Sequence, residues 1–230
     1  MVKVTKSKTG AVIVAAGSSR RMEGTDKVFA PLGGRPVLAR VIDTFERCDV
    51  VDSIVIVLNA SSLQKGKDLV EAEGWKKVRD IRSGGERRQD SVLAGLEALD
   101  DCDWVLIHDG ARPLVTPEII EEGLDAAQET GAAIAAVPVT DTIKVAGDGM
   151  IVQGPPPRQS LRAAQTPQVF RYDVIIGAYR GLKYEVTDDA RAVELRGGKV
   201  RLYNGSRDNI KITTPDDLAL AEILLEKRRK

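Results

Sequence analysis

Short apolar runs alternate with longer amphipathic stretches along this sequence, and the alternation limits the folds open to the chain. Five runs are apolar over most of their length and mostly rich in β-branched residues: 11–15, 53–58, 104–107, 132–137 and 200–203. Continuously apolar strands are typical of parallel sheets whose two faces are covered by helices. The pattern therefore predicts an α/β fold with a mostly parallel, twisted sheet flanked by helices.

Two of the predicted helices have clear start signals. Thr116 and Thr214 are each followed by a proline and an acidic residue, which is typical of an N-cap and a first helical turn. Gly131 predicts the end of the first of these helices, and the second should run from 218 to about 227. Because the 230 residues include no linker-like segment, we expect a single domain spanning 1–230.

Residues 137–153 interrupt the alternation. Two β-prone segments, 137–145 and 150–153, flank a Gly-Asp-Gly turn at 147–149, and three prolines follow at 155–157. This order predicts a β-hairpin arm over about 138–157 that protrudes from the main sheet. Because an isolated two-stranded ribbon is marginally stable in water, we expect the arm to pack against something, such as a second subunit.

The composition disfavours proteins that bind nucleic acids or membranes. Lys and Arg total 34, Asp and Glu also total 34, and aromatic residues make up 4%, so we expect neither a basic field nor a base-stacking surface. Cys48, Cys102 and the single His108 are too few for a tetrahedral zinc site without carboxylates. Residues 1–16 contain no apolar run of signal-peptide or membrane-span length, and we expect a cytoplasmic protein.

The turn after the first predicted strand combines small residues with cations, in the order Ala15, Ala16, Gly17, Arg20, Arg21 and Lys27. It matches neither the Walker loop nor the Gly-x-Gly-x-x-Gly fingerprint. A small-residue turn at this place still points backbone N–H groups into the crevice where doubly wound sheets bind nucleotides. A polyphosphate site is therefore predicted, with a solvated surface loop as the alternative.

A second glycine turn, at residues 83–92, leads into a predicted helix. Gly84, Gly85 and Ser91 could hydrogen-bond a base or phosphate at the start of that helix. The alternative is a plain connection between a strand and a helix.

Asp109 comes at the carboxyl end of the third predicted strand, where open α/β sheets place their sites. Next to a triphosphate its carboxylate would be repelled unless a divalent cation intervened, so we expect Asp109 to hold Mg²⁺, or another divalent cation, directly or through water. Arg112 could equally be a salt-bridge partner of Asp109. His108 is interpreted as a structural histidine, because no nucleophile follows nearby for it to activate.

Later segments add groups suited to phosphate binding: Thr140, Thr142 and Lys144 on the arm, Arg158 with Thr166 after it, and residues 208–213 before the last helix. None of these segments combines a nucleophile with a base. The segment Thr187-Asp188-Asp189 is interpreted as the N-cap of a helix, with substrate contact as the alternative.

Together these segments resemble the 2-C-methyl-D-erythritol 4-phosphate cytidylyltransferases of the non-mevalonate isoprenoid route. The resemblance covers nearly the whole chain and rests on five blocks in the family's order: Ala15–Gly17 with Arg20–Met22 and Lys27, Gly84–Gly85 with Asp90–Leu96, His108–Pro113, Thr166–Gln168 and Asp208–Lys211. It implies a Rossmann-like fold, CTP and Mg²⁺ as ligands, and a homodimer in which the hairpin arm reaches into the partner's site.

The resemblance also implies roles for individual residues. The expected catalytic residues are Arg21, Lys27, Arg158 and Lys211. The residues expected to bind the nucleotide are Ala15, Ala16, Gly17, Gly84, Gly85, Glu86, Ser91 and Asp109. The residues expected to hold the methylerythritol phosphate are Asp109, Arg112, Thr142, Arg158 and Thr166, with the arm residues supplied by the partner.

The chain departs from the family pattern beside Lys27, where Asp26 and Val28 replace proline and glutamine. It also departs at position 86, where Glu86 replaces the other acidic residue type of the family pattern. The implied reaction transfers a cytidylyl group from CTP to 2-C-methyl-D-erythritol 4-phosphate and releases pyrophosphate. The alternatives are a ribitol 5-phosphate cytidylyltransferase, a sugar-1-phosphate nucleotidyltransferase that uses another base, and a nucleotide-binding protein without activity.

Overall fold

The computed structural model describes residues 7–17, 22, 26–99 and 101–228. The strands are β1 Thr9–Ala15, β2 Pro31–Leu32, β3 Arg35–Pro36, β4 Ser53–Leu58, β5 Val78–Ser83, β6 Trp104–Asp109, β7 Ala132–Pro138, β8 Val145–Ala146, β9 Val152–Gly154, β10 Arg162–Arg171 and β11 Arg201–Asn204. The α-helices are α1 Val37–Arg47, α2 Leu63–Glu73, α3 Arg88–Glu97, α4 Pro117–Thr130, α5 Tyr172–Arg180, α6 Asp189–Glu194 and α7 Pro215–Lys227.

Seven strands form one sheet in the order β11-β7-β10-β6-β1-β4-β5. All neighbouring strands are parallel except β10, which is antiparallel to both β6 and β7. The predicted α/β class, with a mostly parallel sheet flanked by helices, is confirmed. The five predicted apolar strands correspond to β1, β4, β6, β7 and β11, with ends that differ by up to two residues.

Side-chain alternation along β1 divides the core between the two faces of the sheet. Ala11 and Ile13 pack with residues of α1 and α4 on one face, while Val12 packs with residues of α3 and α5 on the other. All three side chains are fully buried. The continuous apolar run therefore reflects a strand that is covered on both faces, as the sequence predicted.

Two strands of the sheet were not predicted. β5 lies at the sheet edge and carries Arg79, Asp80 and Arg82, so it lacks a continuous apolar run. β10 lies inside the sheet but contains two buried glutamines. The Gln165 amide donates to the Ser206 carbonyl at 2.8 Å, and the Gln168 carbonyl oxygen accepts the Ala190 N–H at 2.9 Å. These bonds to a neighbouring loop and to α6 satisfy polar groups that would disfavour a buried strand.

The two predicted N-caps and the end of α4 agree with the structure, but α7 begins at Pro215, before the predicted start at 218. The Thr214 hydroxyl accepts the Asp217 N–H at 3.3 Å, while the Asp217 carboxylate accepts the Thr214 N–H at 2.9 Å, which completes a capping box at the start of α7. Gly131 ends α4 with a φ of 78°, a conformation that favours glycine. Among the described residues, no helix combines the length and hydrophobicity needed to cross a membrane.

The hairpin is shorter than the sequence predicted. The expected strand over 137–145 is wrong, because β7 ends at Pro138 and residues 139–144 belong to no strand. The antiparallel pairing is confined to β8 and β9. The segment from 139 to 152 is exposed along most of its length, and its large apolar side chains, Ile143, Val145, Met150, Ile151 and Val152, are 40% to 83% exposed. Residues 139–144 thus lack the neighbouring strand that a β-conformation would need for hydrogen bonding.

Candidate active site

A cavity of about 410 Å³ opens where β1 and β6 end and α3 begins. Nine of the predicted site residues line it: Ala15, Ala16, Gly17, Lys27, Gly85, Glu86, Ser91, Asp109 and Lys211. β1 and β6 are parallel neighbours, so their carboxyl ends meet at this edge of the sheet. The topology thus explains why residues far apart in the sequence share one cavity.

The glycine turn before α3 is shaped by close packing. A Cβ atom on Gly84 would lie 2.4 Å from the Ala16 Cβ atom, so this position requires glycine. The Ser91 hydroxyl accepts the Gly85 N–H at 3.2 Å and donates to the Arg87 carbonyl at 3.3 Å. Ser91 therefore holds the turn in shape and also lines the cavity.

The Asp109 carboxylate faces three cations. The Lys211 Nζ atom lies 2.8 Å from Asp109 Oδ2, and the Nε atoms of Arg88 and Arg112 each lie 3.6 Å from a carboxylate oxygen. Burial by itself would raise the pKa of Asp109, but the charges of Lys211, Arg88 and Arg112 outweigh burial and hold this pKa below its ordinary value. Asp109 is therefore anionic at neutral pH, although its residue is 7% exposed.

Arg112 and Thr166, both predicted to bind substrate, lie beside Asp109 and make internal hydrogen bonds. The Arg112 Nη1 atom donates to the Asn209 carbonyl at 2.7 Å, so the salt-bridge alternative for Arg112 agrees with the geometry. The buried Thr166 hydroxyl accepts the Asp109 N–H at 3.0 Å. Both residues thus fix the position of Asp109.

His108 continues this hydrogen-bonded chain inside the core. A carbonyl cannot donate, so the His108 Nε2–H must donate to the Arg112 carbonyl at 3.1 Å. In the neutral ring Nδ1 is then an acceptor, and it receives the Thr166 hydroxyl proton at 3.1 Å. Complete burial lowers the pKa of His108 to about 4. The side chain therefore remains neutral and structural at neutral pH, as the sequence indicated.

The free energy of unfolding should decrease as the pH falls from 6.5 toward 4. In this window His108 takes up a proton in the unfolded chain, where its pKa is about 6.5, but remains neutral in the folded protein. Between pH 7 and pH 5 we expect a loss of roughly 2 kcal/mol, which urea unfolding at several pH values would measure. His108 is the only histidine in the sequence, so a His108→Gln variant should lose most of the slope. Equal stability of the wild type at pH 7 and pH 5 would contradict the neutral assignment.

Two predicted site residues on the arm region, Arg158 and Thr142, lie apart from the cavity of their own chain. Arg158 and Thr142 are exposed on the arm region, and the Arg158 Nη2 atom donates to the Thr140 carbonyl at 2.7 Å. Neither residue lines the cavity that contains Asp109. Arg21, predicted to contact the triphosphate, is outside the described residues.

Arg88 lines the cavity but was not singled out from the sequence. Its signal was its place next to the Gly84-Gly85 turn, directly after another arginine. Its main partner, Asp189, is fully buried and accepts two hydrogen bonds from the Arg88 guanidinium at 2.7 Å each. The neighbouring Asp188 is the N-cap of α6, since its carboxylate accepts the Arg191 N–H at 3.0 Å. N-capping was therefore predicted correctly for Asp188, whereas Asp189 has a different role.

The cavity combines a glycine turn and a small-residue loop with the cations Lys27, Arg88 and Lys211. Backbone N–H groups and cations at the ends of parallel strands suit a polyphosphate ligand. Within the part of the chain that the structure describes, no group of three or more His, Cys, Asp or Glu residues could hold a metal ion. The arrangement therefore suits phosphate chemistry that depends on positioning and charge.

Comparison with known proteins agrees with this geometry. The family model for 2-C-methyl-D-erythritol 4-phosphate cytidylyltransferase matches residues 9–227. The chain belongs to that family. A 2-C-methyl-D-erythritol 4-phosphate cytidylyltransferase from Dehalococcoides mccartyi is 53% identical over 222 residues, which cover 96% of this chain and 98% of that protein. One from Alkaliphilus oremlandii is 47% identical and covers 97% of this chain and 98% of that protein.

The fold is similar to that of a solved member of the 2-C-methyl-D-erythritol 4-phosphate cytidylyltransferase family. The crystal structure of 4-diphosphocytidyl-2C-methyl-D-erythritol synthase from Anaerococcus prevotii has a TM-score of 0.86 at 32% sequence identity, and the alignment covers 96% of each chain. The family resemblance inferred from five short sequence blocks is thus confirmed over almost the full length.

Proposed function

We propose that this protein transfers the cytidylyl group of CTP to 2-C-methyl-D-erythritol 4-phosphate and releases pyrophosphate. The observation that carries the proposal is the cavity at the ends of β1 and β6, where the Lys211 ammonium lies 2.8 Å from the Asp109 carboxylate beside the glycine turn. Relatives with this named activity match the chain over nearly its full length. Fold and site therefore support the same reaction.

In this proposal the loop after β1, with Arg21 and Lys27, binds the triphosphate of CTP. Gly85, Glu86 and Ser91, which line the same cavity, bind the ribose and the base in this proposal. Lys211 binds the α-phosphate, and its side chain is 40% exposed and so accessible to a ligand. This assignment places cations around the phosphorus atom that reacts.

The reaction is an in-line attack by an oxygen of the acceptor phosphate on the α-phosphorus of CTP. A phosphomonoester is largely dianionic at neutral pH because its second pKa is about 6, so the attack needs no general base. The protein has to hold two anions together and stabilise the charge that develops on pyrophosphate. Lys27, Arg21 and Lys211 supply that charge in the proposed complex.

Mg²⁺ is proposed as the metal cofactor. The described residues offer no cluster of metal ligands, but Asp109 adds one carboxylate at the cavity. This donor set fits Mg²⁺, which commonly keeps several waters and binds through one or two carboxylates together with substrate phosphates. Bound there, Mg²⁺ would neutralise charge on the triphosphate, with Asp109 holding it directly or through water.

The acceptor is proposed to bind against Asp109, Arg112 and Thr166 of one subunit and against Arg158 and Thr142 of a partner subunit. This arrangement is supported by the exposure of Arg158 and Thr142 and by the exposed apolar side chains of the arm, which suit a contact with another chain. We also propose a cytoplasmic location, which is compatible with Cys48 and Cys102 both being free thiols.

Pyrophosphate release by purified protein with CTP and Mg²⁺ tests the proposed function. We expect release with 2-C-methyl-D-erythritol 4-phosphate, little release with ribitol 5-phosphate, and none when EDTA removes the metal. Preference for ribitol 5-phosphate would favour the alternative of a ribitol 5-phosphate cytidylyltransferase. Faster release with another nucleoside triphosphate than with CTP would exclude a cytidylyltransferase.

A further inference from the structure

Arg88 lies between a buried carboxylate and the carboxylate of the cavity. Its Nη1 and Nη2 atoms donate to Asp189 Oδ1 and Oδ2 at 2.7 Å each, and its Nε atom lies 3.6 Å from Asp109 Oδ1. Asp189 has no exposed surface, whereas the Arg88 side chain is 31% exposed at the cavity. The two-pronged end of the guanidinium is therefore occupied by Asp189, and its Nε edge faces Asp109.

Tyr179 completes the buried end of this network. Its hydroxyl donates to Asp189 Oδ1 at 2.5 Å, and the residue is 4% exposed. Burial, together with the charge of Asp189, raises the pKa of Tyr179, so the phenol stays protonated and remains a donor. Asp189 thus accepts three hydrogen bonds, which compensate for the loss of water around a fully buried charge.

This geometry decides what remains available to Asp109. A guanidinium whose two Nη atoms were free could form a bidentate pair with Asp109, because such pairs are the preferred arginine–carboxylate geometry. The bidentate contact to Asp189 prevents this, and Asp109 Oδ2 contacts the Lys211 ammonium at 2.8 Å instead. Asp189 therefore controls which cation pairs closely with Asp109.

We propose that Asp189, oriented by Tyr179, is a positioning residue that holds the Arg88 guanidinium away from a bidentate contact with Asp109 and so preserves the Asp109–Lys211 pair in the cavity. The proposal rests on the proposed function, in which Lys211 binds the α-phosphate and Asp109 lies beside the metal and the acceptor. Asp189 and Tyr179 touch no substrate and act through Arg88.

Asp189→Asn removes the charge and one acceptor, so Arg88 should turn toward Asp109. We expect kcat/KM to fall roughly 30-fold, mainly through kcat, because displacement of a positioned group lowers turnover more than binding. Tyr179→Phe removes one hydrogen bond and should lower kcat/KM about threefold. In an Arg88→Ala background, neither second substitution should lower kcat/KM further, because both act through Arg88.

Two control variants separate positioning from stability. Asp173→Asn breaks an exposed bidentate pair with Arg171, whose two contacts are 2.5 and 2.8 Å, and should leave kcat/KM unchanged. Ile175→Val removes one methylene group from a fully buried apolar side chain on α5, the helix that carries Tyr179. It should lower the melting temperature but not kcat/KM at temperatures where the protein is folded.

The proposal is tested by the double-mutant cycles that combine Arg88→Ala with Asp189→Asn or with Tyr179→Phe. The proposal would be overturned if either second substitution lowered kcat/KM further in the Arg88→Ala background. It would also be overturned if the kcat/KM of Asp189→Asn were within twofold of the wild-type value. If Asp189→Asn does not fold, Tyr179→Phe with and without Arg88→Ala provides the same comparison.

A separate experiment applies if the wild type shows no cytidylyl transfer, in which case the proposed function fails. The exchange rate of the Arg88 guanidinium protons, measured by NMR, then tests the positioning of Arg88 independently of activity. Slow exchange in the wild type that becomes fast in Tyr179→Phe or Asp189→Asn supports the proposal, whereas fast exchange in the wild type overturns it.

Discussion

Replacing Lys211 by alanine should slow turnover by roughly two to three powers of ten, by analogy with the loss of one preorganised electrostatic donor. The Lys211 ammonium is the cation nearest to the Asp109 carboxylate in the cavity, at 2.8 Å. Without it, nothing at this position would stabilise the charge that develops at the α-phosphate in the proposed reaction. The measurement is kcat for pyrophosphate release at saturating CTP and acceptor.

A matched control separates this role from a general effect of lost positive charge. Lys67 is an exposed lysine on α2, outside the cavity, and Lys67→Ala should keep the wild-type rate. Lys27→Ala should show a loss similar to that of Lys211→Ala, because Lys27 also lines the cavity. A wild-type kcat in Lys211→Ala would contradict its proposed role at the α-phosphate.

Replacing Arg158 by alanine should lower kcat/KM for the acceptor by about 100-fold, although Arg158 lies outside the cavity of its own chain. The physical reason is the proposed exchange of arms, in which the guanidinium of one subunit contacts the acceptor phosphate in the other subunit. Arg162 offers a control, because it is an exposed arginine nearby whose guanidinium donates to backbone carbonyls. Arg162→Ala should retain at least half of the wild-type kcat/KM.

Mixing two inactive variants tests the exchange of arms directly. In a dimer of Lys211→Ala with Arg158→Ala, one site carries both substitutions and the other carries neither. If subunits mix randomly at equal amounts, half of the dimers are mixed, and about one quarter of the wild-type activity should return. Activity that stays at the level of the separate variants after subunit exchange, or a monomeric mass by light scattering, would contradict the arrangement.

The extent to which the sequence predicted the fold depended on how each strand is buried. β1, β4 and β6 each contain an apolar run because helices cover both faces of the sheet, so these strands could be predicted from the sequence. β10 was missed because the partners that satisfy Gln165 and Gln168, a loop carbonyl and an N–H of α6, are distant in sequence. The 137–145 strand was predicted from β-propensity alone, but residues 139–144 have no neighbouring strand to pair with.

The candidate site was predictable where its residues follow predicted strands or glycine turns. Asp109 at the end of β6 and Gly85 before α3 belong to this group, and the cavity brings them together. The Arg88–Asp189 pair could not be predicted, because its partners are 101 positions apart and Asp189 lies next to an N-capping residue of the same type. The contacts that give Asp189 its role depend on the packing of α3, α5 and α6.

Isotopic labelling of the acceptor phosphate tests the central claim most directly. The protein would be incubated with CTP, Mg²⁺ and 2-C-methyl-D-erythritol 4-phosphate whose phosphate oxygens carry ¹⁸O, and the products analysed by mass spectrometry. Attack of the acceptor phosphate on the α-phosphorus predicts that all of the label appears in cytidine diphosphate-linked methylerythritol and that pyrophosphate is unlabelled. Labelled pyrophosphate, or release of CMP without a linked product, would contradict cytidylyl transfer.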